Sequence, residues 1–163
     1  MFRSLTPRFL IVLIDRRWDS DFLTLSQLIK NGKLGRIVEF ETHFDRHRPE
    51  PTSTGWKTKP IPGGGVVYDL GAHLIDQVVV VFGMPKRITG FVGSQREDKH
   101  NPDGFEDSCT VLLHYDGMLA TVKAGVVSLE VAQLRYWVRG TNGTYKKVRG
   151  SVLILLSSLL ISV

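Results

Sequence analysis

Two dipeptides, Asp116-Gly117 and Asn142-Gly143, limit what this 163-residue chain can fold into, because runs of strand-forming residues precede both and follow the first. Asx-Gly pairs supply the positive φ angles of tight hairpin turns, so the segments they join run antiparallel. Strands are predicted near 87–93, 108–115, 118–124 and 134–140. Upstream, 20–31 reads as an amphipathic helix with Phe22, Leu25, Leu28 and Ile29 on one side, Ser20 as its cap and Gly32 just past its end. Residues 36–45 alternate Ile37, Glu39, Glu41 and His43 against Val38, Phe40, Thr42 and Phe44, the pattern of a half-buried strand. Helices followed by hairpins predict an α+β fold, a predominantly antiparallel open sheet with helices packed on one face.

The chemistry concentrates in Gly63-Gly64-Gly65-Val66-Val67-Tyr68-Asp69-Leu70-Gly71-Ala72-His73-Leu74-Ile75-Asp76. Three glycines permit backbone angles closed to other residues, and the helix they feed, running to about Phe82, offers free N–H groups at its start. On an α-helix, positions four apart share a face, so Asp69 and His73 can touch. A carboxylate beside an imidazole fixes its tautomer and raises its basicity, as removal of an alcohol proton requires. The same spacing also describes an ordinary surface pair worth a few tenths of a kcal/mol. The lead-in Lys57-Thr58-Lys59-Pro60-Ile61-Pro62 has two prolines and is a loop, not a central strand.

This motif resembles that of the second domain of the Gfo/Idh/MocA oxidoreductases, the glucose–fructose oxidoreductase and inositol dehydrogenase family. Arg16-Arg17-Trp18-Asp19-Ser20-Asp21-Phe22-Leu23 resembles the segment that opens that domain, and Gly32-Lys33-Leu34-Gly35-Arg36-Ile37-Val38-Glu39-Phe40 its first helix-to-strand junction. The resemblance implies an N-terminal Rossmann domain binding NAD or NADP in the full-length family, followed by a substrate domain that often forms the oligomer interface. It implies that His73 is the general acid/base toward a sugar or polyol hydroxyl and Asp69 its orienting carboxylate. The family's third catalytic group, a lysine of the first domain, has no counterpart here. Trp18 and Trp56 are expected to wall the substrate pocket, and Arg16 and Lys59 to reach its hydroxyls or a phosphate.

No Gly-x-Gly-x-x-Gly joins a strand to a helix, and no Glu-Lys-Pro motif is present, so no cofactor is expected to bind this chain alone. The family-like domain spans 16–147. It is flanked by an atypical segment, 1–15, in which Asp15 stands where the family has Asn, and by an apolar tail, 148–163, too short to cross a bilayer. The lone Cys109 lies in an apolar strand, which excludes an internal disulfide framework and fits a reducing, cytoplasmic compartment. The net charge of +5 is scattered in small groups without a recognition helix, so neither nucleic acid nor membrane is an expected partner. His43 and His47 are expected as an exposed polar rim, not a metal site. The uncovered sheet face predicts a homo-oligomer, with a sugar or polyol as small-molecule partner. Three functions fit: the substrate-binding, catalytic-helix portion of an NAD(P)-dependent oxidoreductase, inactive without its cofactor domain; a non-catalytic dimerisation or regulatory module; and an inert fragment of a defective gene model.

Overall fold

The computed structural model describes residues 14–51 and 55–157, with the Trp56 side chain outside that description, so the expectations placed on 1–13 and 158–163 lie beyond it. Among the described residues the long elements are β1 (Ile37–Asp45), β2 (Arg87–Gly93), β3 (Ser108–Tyr115), β4 (Met118–Gly125), β5 (Leu134–Gly140), β6 (Gly143–Val148) and β7 (Ser151–Leu156), with helices α1 (Ser20–Lys30) and α2 (Ala72–Phe82). The strands form a single sheet in the order β2-β3-β4-β1-β5-β6-β7. β1 and β4 run parallel, and the other neighbours are antiparallel. The fold is the α+β open sheet that the hairpin signals predict. Tyr115 pairs with Met118 across Asp116-Gly117, where Gly117 adopts φ +66°.

α1 ends as its sequence dictates. Gly32 takes φ +66°, its N–H reaches Ile29 O at 2.9 Å, and the Lys33 N–H reaches Leu28 O at 3.0 Å, the paired bonds of a Schellman stop. Its start differs from expectation. Ser20 is the first helical residue and Asp19 holds the cap position without a side-chain cap bond. The Asp19 carboxylate is drawn instead to Arg16 and Arg135, each at 3.5 Å, because full positive charges outbid a backbone N–H.

Alternation divides each central strand between two environments. Phe40, Val122, Tyr136, Val138 and Tyr145 belong to the same core as Phe22 and Leu25 of α1 and Leu74 and Val78 of α2, all at 2% exposure or less. Aromatic rings meet within this largely aliphatic layer: Phe40 lies edge-on to Phe82 at 5.3 Å and to Tyr136 at 6.2 Å. The Tyr136 hydroxyl donates to Gln77 Oε1 at 2.8 Å, and Gln77 Nε2 donates to Arg16 O at 2.7 Å, so the buried polar atoms of this triad are paired.

Side chains of the opposite register carry charge. His43 lies between Glu41 Oε1 at 2.8 Å and Asp45 Oδ2 at 3.1 Å, and Lys123 donates to Glu41 at 2.6 Å. The expectation of an exposed rim holds for His47 but not for His43, whose side chain keeps 11% of its accessibility because those carboxylates flank it. Trp137 Nε1 donates to Glu39 at 3.2 Å. No helix among the described residues is long and apolar enough to cross a membrane.

The segment before α1 makes a short 3-10 turn, Asp15–Trp18, and is fastened to α2 by a two-pronged ion pair. Arg17 Nε and Nη2 donate to the Asp76 carboxylate at 2.6 and 2.5 Å.

Candidate active site

The glycine bend leads into a π-helical turn, Val67–Gly71, that continues directly as α2. Gly63 and Gly65 adopt φ +82° and +87°, which side chains rarely tolerate. Glu106 then fills the turn's open start. Its carboxylate accepts the Val66 N–H at 2.8 Å and the Val67 N–H at 3.1 Å. A Cβ at residue 65 would lie 2.1 Å from Glu106 Oε1, so glycine is required twice over, by its angle and by the closeness of that carboxylate. Burial pushes the Glu106 carboxyl above its usual range, against the two N–H groups that favour its charged form. The sequence predicts an α-helix here; a single π turn replaces its first turn, a distortion that recurs at functional sites.

Asp69 sits in that turn and His73 in the first turn of α2, but they do not pair with each other. Asp69 is held by Lys57 and lies 3.8 Å from Arg46 Nη1. His73 Nδ1 faces Asp15 Oδ1 at 3.6 Å, buried and without a hydrogen-bond acceptor. The spacing does put both on one stretch of helix. The loop after β1 and the 3-10 turn Trp56–Thr58 bring two cations to Asp69, and a carboxylate prefers full charges to an imidazole. Asp15 is therefore the carboxylate that faces His73, a correction to the Asp69–His73 pairing.

A small cavity of about 70 Å³ opens beside Asp69, lined also by Arg46, Lys57, Arg96 and Glu106. Its far wall is a loop, 94–107, stiffened by Asp107, which is 1% exposed. That carboxylate accepts from the Gln95 N–H at 2.8 Å and from Asn101 Nδ2 at 3.3 Å, and it pairs with Arg96 Nη1 at 3.5 Å. Arg96 in turn donates to Arg48 O at 3.2 and 3.1 Å, tying the loop to the chain beyond β1. A second, open cleft of about 440 Å³ shares Arg46 and extends past Arg16 and Arg135.

The residues named from sequence divide accordingly. Asp69 lines the small cavity and Arg16 the larger cleft, while His73 stands one turn along from Asp69 without lining either. Trp18 is 75% exposed and Lys59 is exposed, and neither lines these cavities. Trp56 begins the short turn that carries Lys57, its side chain lying outside the described residues. Sequence reasoning missed Lys57, Arg46, Glu106 and Asp15 as neighbours of the motif. Only Asp15 carried a signal, its place immediately before the Arg16-Arg17 pair.

Among the described residues no group of His, Cys, Asp or Glu is arranged to hold a metal ion. Burial pushes the Cys109 thiol up to about 11, and it packs as an unreactive strand residue. The parallel pair β1–β4 differs from the strand–glycine turn–helix unit of a dinucleotide fold. The chain leaves β1 through Arg46-His47-Arg48-Pro49 with no glycine turn, and β2 and β3 intervene before β4.

Comparison with known proteins accounts for this half-site. Residues 22–146 match the GFO/IDH/MocA C-terminal domain. The uncharacterized oxidoreductase C115.03 of Schizosaccharomyces pombe is 41% identical over 143 residues, covering 85% of this chain and 38% of that protein. The scyllo-inositol 2-dehydrogenase (NADP(+)) IolW of Bacillus subtilis is 36% identical over 138 residues, covering 85% and 37%. The solved structure of the Yersinia pestis protein YPO2259 superposes with a TM-score of 0.72 at 40% identity, covering 85% and 37%. The chain thus spans under two fifths of the length of these relatives. An open sheet with its helices on one face and a glycine-fed Asp/His helix at its end, matched along most of its length to such proteins, belongs to the GFO/IDH/MocA family as a C-terminal domain.

Proposed function

We propose that this chain is the substrate-binding and proton-transfer portion of an NAD(P)-dependent oxidoreductase acting on a CH–OH group of a sugar or polyol. One observation carries the proposal: His73 Nδ1 is buried against Asp15 at 3.6 Å, one helical turn from a carboxylate held by Lys57 and Arg46. With Nδ1–H turned to Asp15, the basic lone pair of the neutral ring is on Nε2, the nitrogen left to take a hydroxyl proton. Asp69 keeps two cations in place at the neighbouring cavity, where they orient hydroxyl oxygens. The relative named for scyllo-inositol and NADP supports the substrate class and the nicotinamide. The nucleotide belongs to a cofactor domain, and the chain alone is inactive in this reading.

The open sheet face supports self-association. It presents Leu119 and Phe91 at 38% and 62% exposure beside charged pairs that a second copy can complement. A cytoplasmic setting accords with the free Cys109 thiol.

The test joins residues 14–157, which keep Asp15 and β7, to the nucleotide-binding portion of the B. subtilis relative and follows NADP⁺ reduction with a panel of polyols. The chimera turns over a polyol, and His73→Ala lowers kcat/KM by about 10²- to 10⁴-fold. The 163-residue chain titrated with NADPH shows no saturable fluorescence change. Full activity in the His73→Ala chimera would remove the proposal.

A further inference from the structure

The larger cleft holds a concentration of guanidinium groups that a neutral sugar does not need. Arg46, Arg16 and Arg135 place their Cζ atoms 4.7, 5.3 and 5.4 Å from the centroid of a single ring, Phe44. Lys147 and Arg149 complete the basic lining. One aromatic face attracts a cation, but three cations around it repel each other. Arg46 registers the strain: burial first, then Arg48 and Arg16, hold its guanidinium below its usual range despite Asp69.

The acids nearby do not use up these donors. Asp19 is shared between Arg16 and Arg135 at 3.5 Å to each, and Asp21 lies 3.7 Å from Arg135 Nε. Asp45 is taken by His43. The Arg46 side chain makes no hydrogen bond among the described residues, and its ion pair with Asp69 is 3.8 Å long. Arg135 donates through Nη1 to His43 O at 2.9 Å, while its buried Nη2 makes no hydrogen bond and has only the long 3.5 Å ion pair to Asp19 Oδ2. A guanidinium carries five N–H donors in a planar fork that matches a carboxylate or phosphate, and a buried unsatisfied donor is costly. The cluster also brackets the motif helix: Arg46 meets Asp69, and Arg16 follows Asp15, the residue that faces His73.

We propose that Arg16, Arg46 and Arg135 bind the oxyanion of an acidic sugar, a carboxylate or a phosphate, beside the hydroxyl presented to His73. This rests on the sugar or polyol reading and narrows it to a charged substrate, in contrast to the uncharged cyclitol named for the B. subtilis relative.

The experiment is a calorimetric and NMR titration of the 163-residue chain with D-glucuronate, D-glucose 6-phosphate, scyllo-inositol, inorganic phosphate and NADP⁺ at constant ionic strength. Glucuronate or glucose 6-phosphate binds at least tenfold more tightly than scyllo-inositol and inorganic phosphate, and the stronger of the two identifies the oxyanion. Arg135→Gln weakens that ligand by tenfold or more, as loss of a charge-assisted bond predicts. Arg16→Gln, at a half-buried surface position, does the same and serves as the readout if Arg135→Gln does not fold. Scyllo-inositol binding as tightly as the acidic sugars overturns the inference while leaving the polyol reading intact. Tighter binding of NADP⁺ or phosphate than of either acidic sugar also overturns it, as does unchanged affinity in both variants.

Discussion

The two faces of the sheet are built from the same strands and do different work. On the face under α1 and α2, Tyr136 and Phe40 are fully buried among aliphatic and aromatic neighbours. One residue along, Trp137 and Glu41 face the other way, into a polar layer where Trp137 donates to Glu39 and Glu41 pairs with Lys123. Burial of apolar area stabilises a fold wherever it occurs, whereas half-exposed ion pairs contribute little to stability and much to the choice of partner. The covered face holds the chain together, and the charged face is free to specialise in contact.

The sharpest way to break this comparison is a pair of adjacent truncations. Tyr136→Ala should cost about 3–5 kcal/mol in urea unfolding, from the lost ring and the stranded Gln77 carboxamide, against roughly 1–2 kcal/mol for Trp137→Ala. Equal costs would mean that the open face is as much core as the covered one. Gly65→Ala should follow at about 2 kcal/mol, because φ +87° is strained for alanine and the new Cβ meets Glu106. Adding Glu106→Ala should return part of that loss in a double-mutant cycle, and strict additivity would show that the closeness of that carboxylate has no energetic weight. Leu119→Lys, at an exposed position of the charged face, should shift the mass seen by light scattering toward monomer while changing the unfolding free energy by no more than about 0.5 kcal/mol. A monodisperse wild-type monomer at micromolar concentration would end the self-association proposal.

The smallest expected effect is a contrast in titration. For Glu41, burial alone would raise the carboxyl, but the bonds from Lys123 and His43 outweigh it and hold the group below its usual range. Glu106 lies above its usual range because burial dominates. Glu41 therefore adds stability that is present above the ordinary glutamate pKa and fades as pH falls through its own lower value. Glu106 has the opposite sign: its contribution is complete below the ordinary value and fades as pH rises through its higher one. Carboxyl ¹³C shifts followed against pH should give two midpoints on opposite sides of 4.5, the ordinary value for a glutamate. Coincident midpoints would show that the two environments are alike.

Local signals carried much of this architecture. Asp116-Gly117, the alternation in 36–45 and the Gly32 stop each depend on residues adjacent in sequence, and the strands they bound begin and end within a residue or so of expectation. β6 and β7 escaped notice because Gly143–Val148 is mostly polar, with Lys146 and Lys147 adjacent inside it, and Ser151–Leu156 is apolar without alternation, so neither shows a period of two. The site was legible as a motif but not as a set of contacts. Asp69 and His73 are separated by four residues, whereas Lys57 comes to Asp69 from twelve residues away and Glu106 to Val66 from forty. No sequence period reports such meetings, and the π turn that replaces the expected α turn has no local signature.

The fork by which Arg17 grips Asp76, backed by Gln77 holding Arg16 O, has a mechanical consequence. It welds the strand of chain entering the domain to the middle of the very helix that carries His73. Asp15 lies two residues before Arg17 and faces His73, so Asp76→Ala should loosen the placement of that carboxylate beside the imidazole, read as a change in the His73 ring chemical shifts.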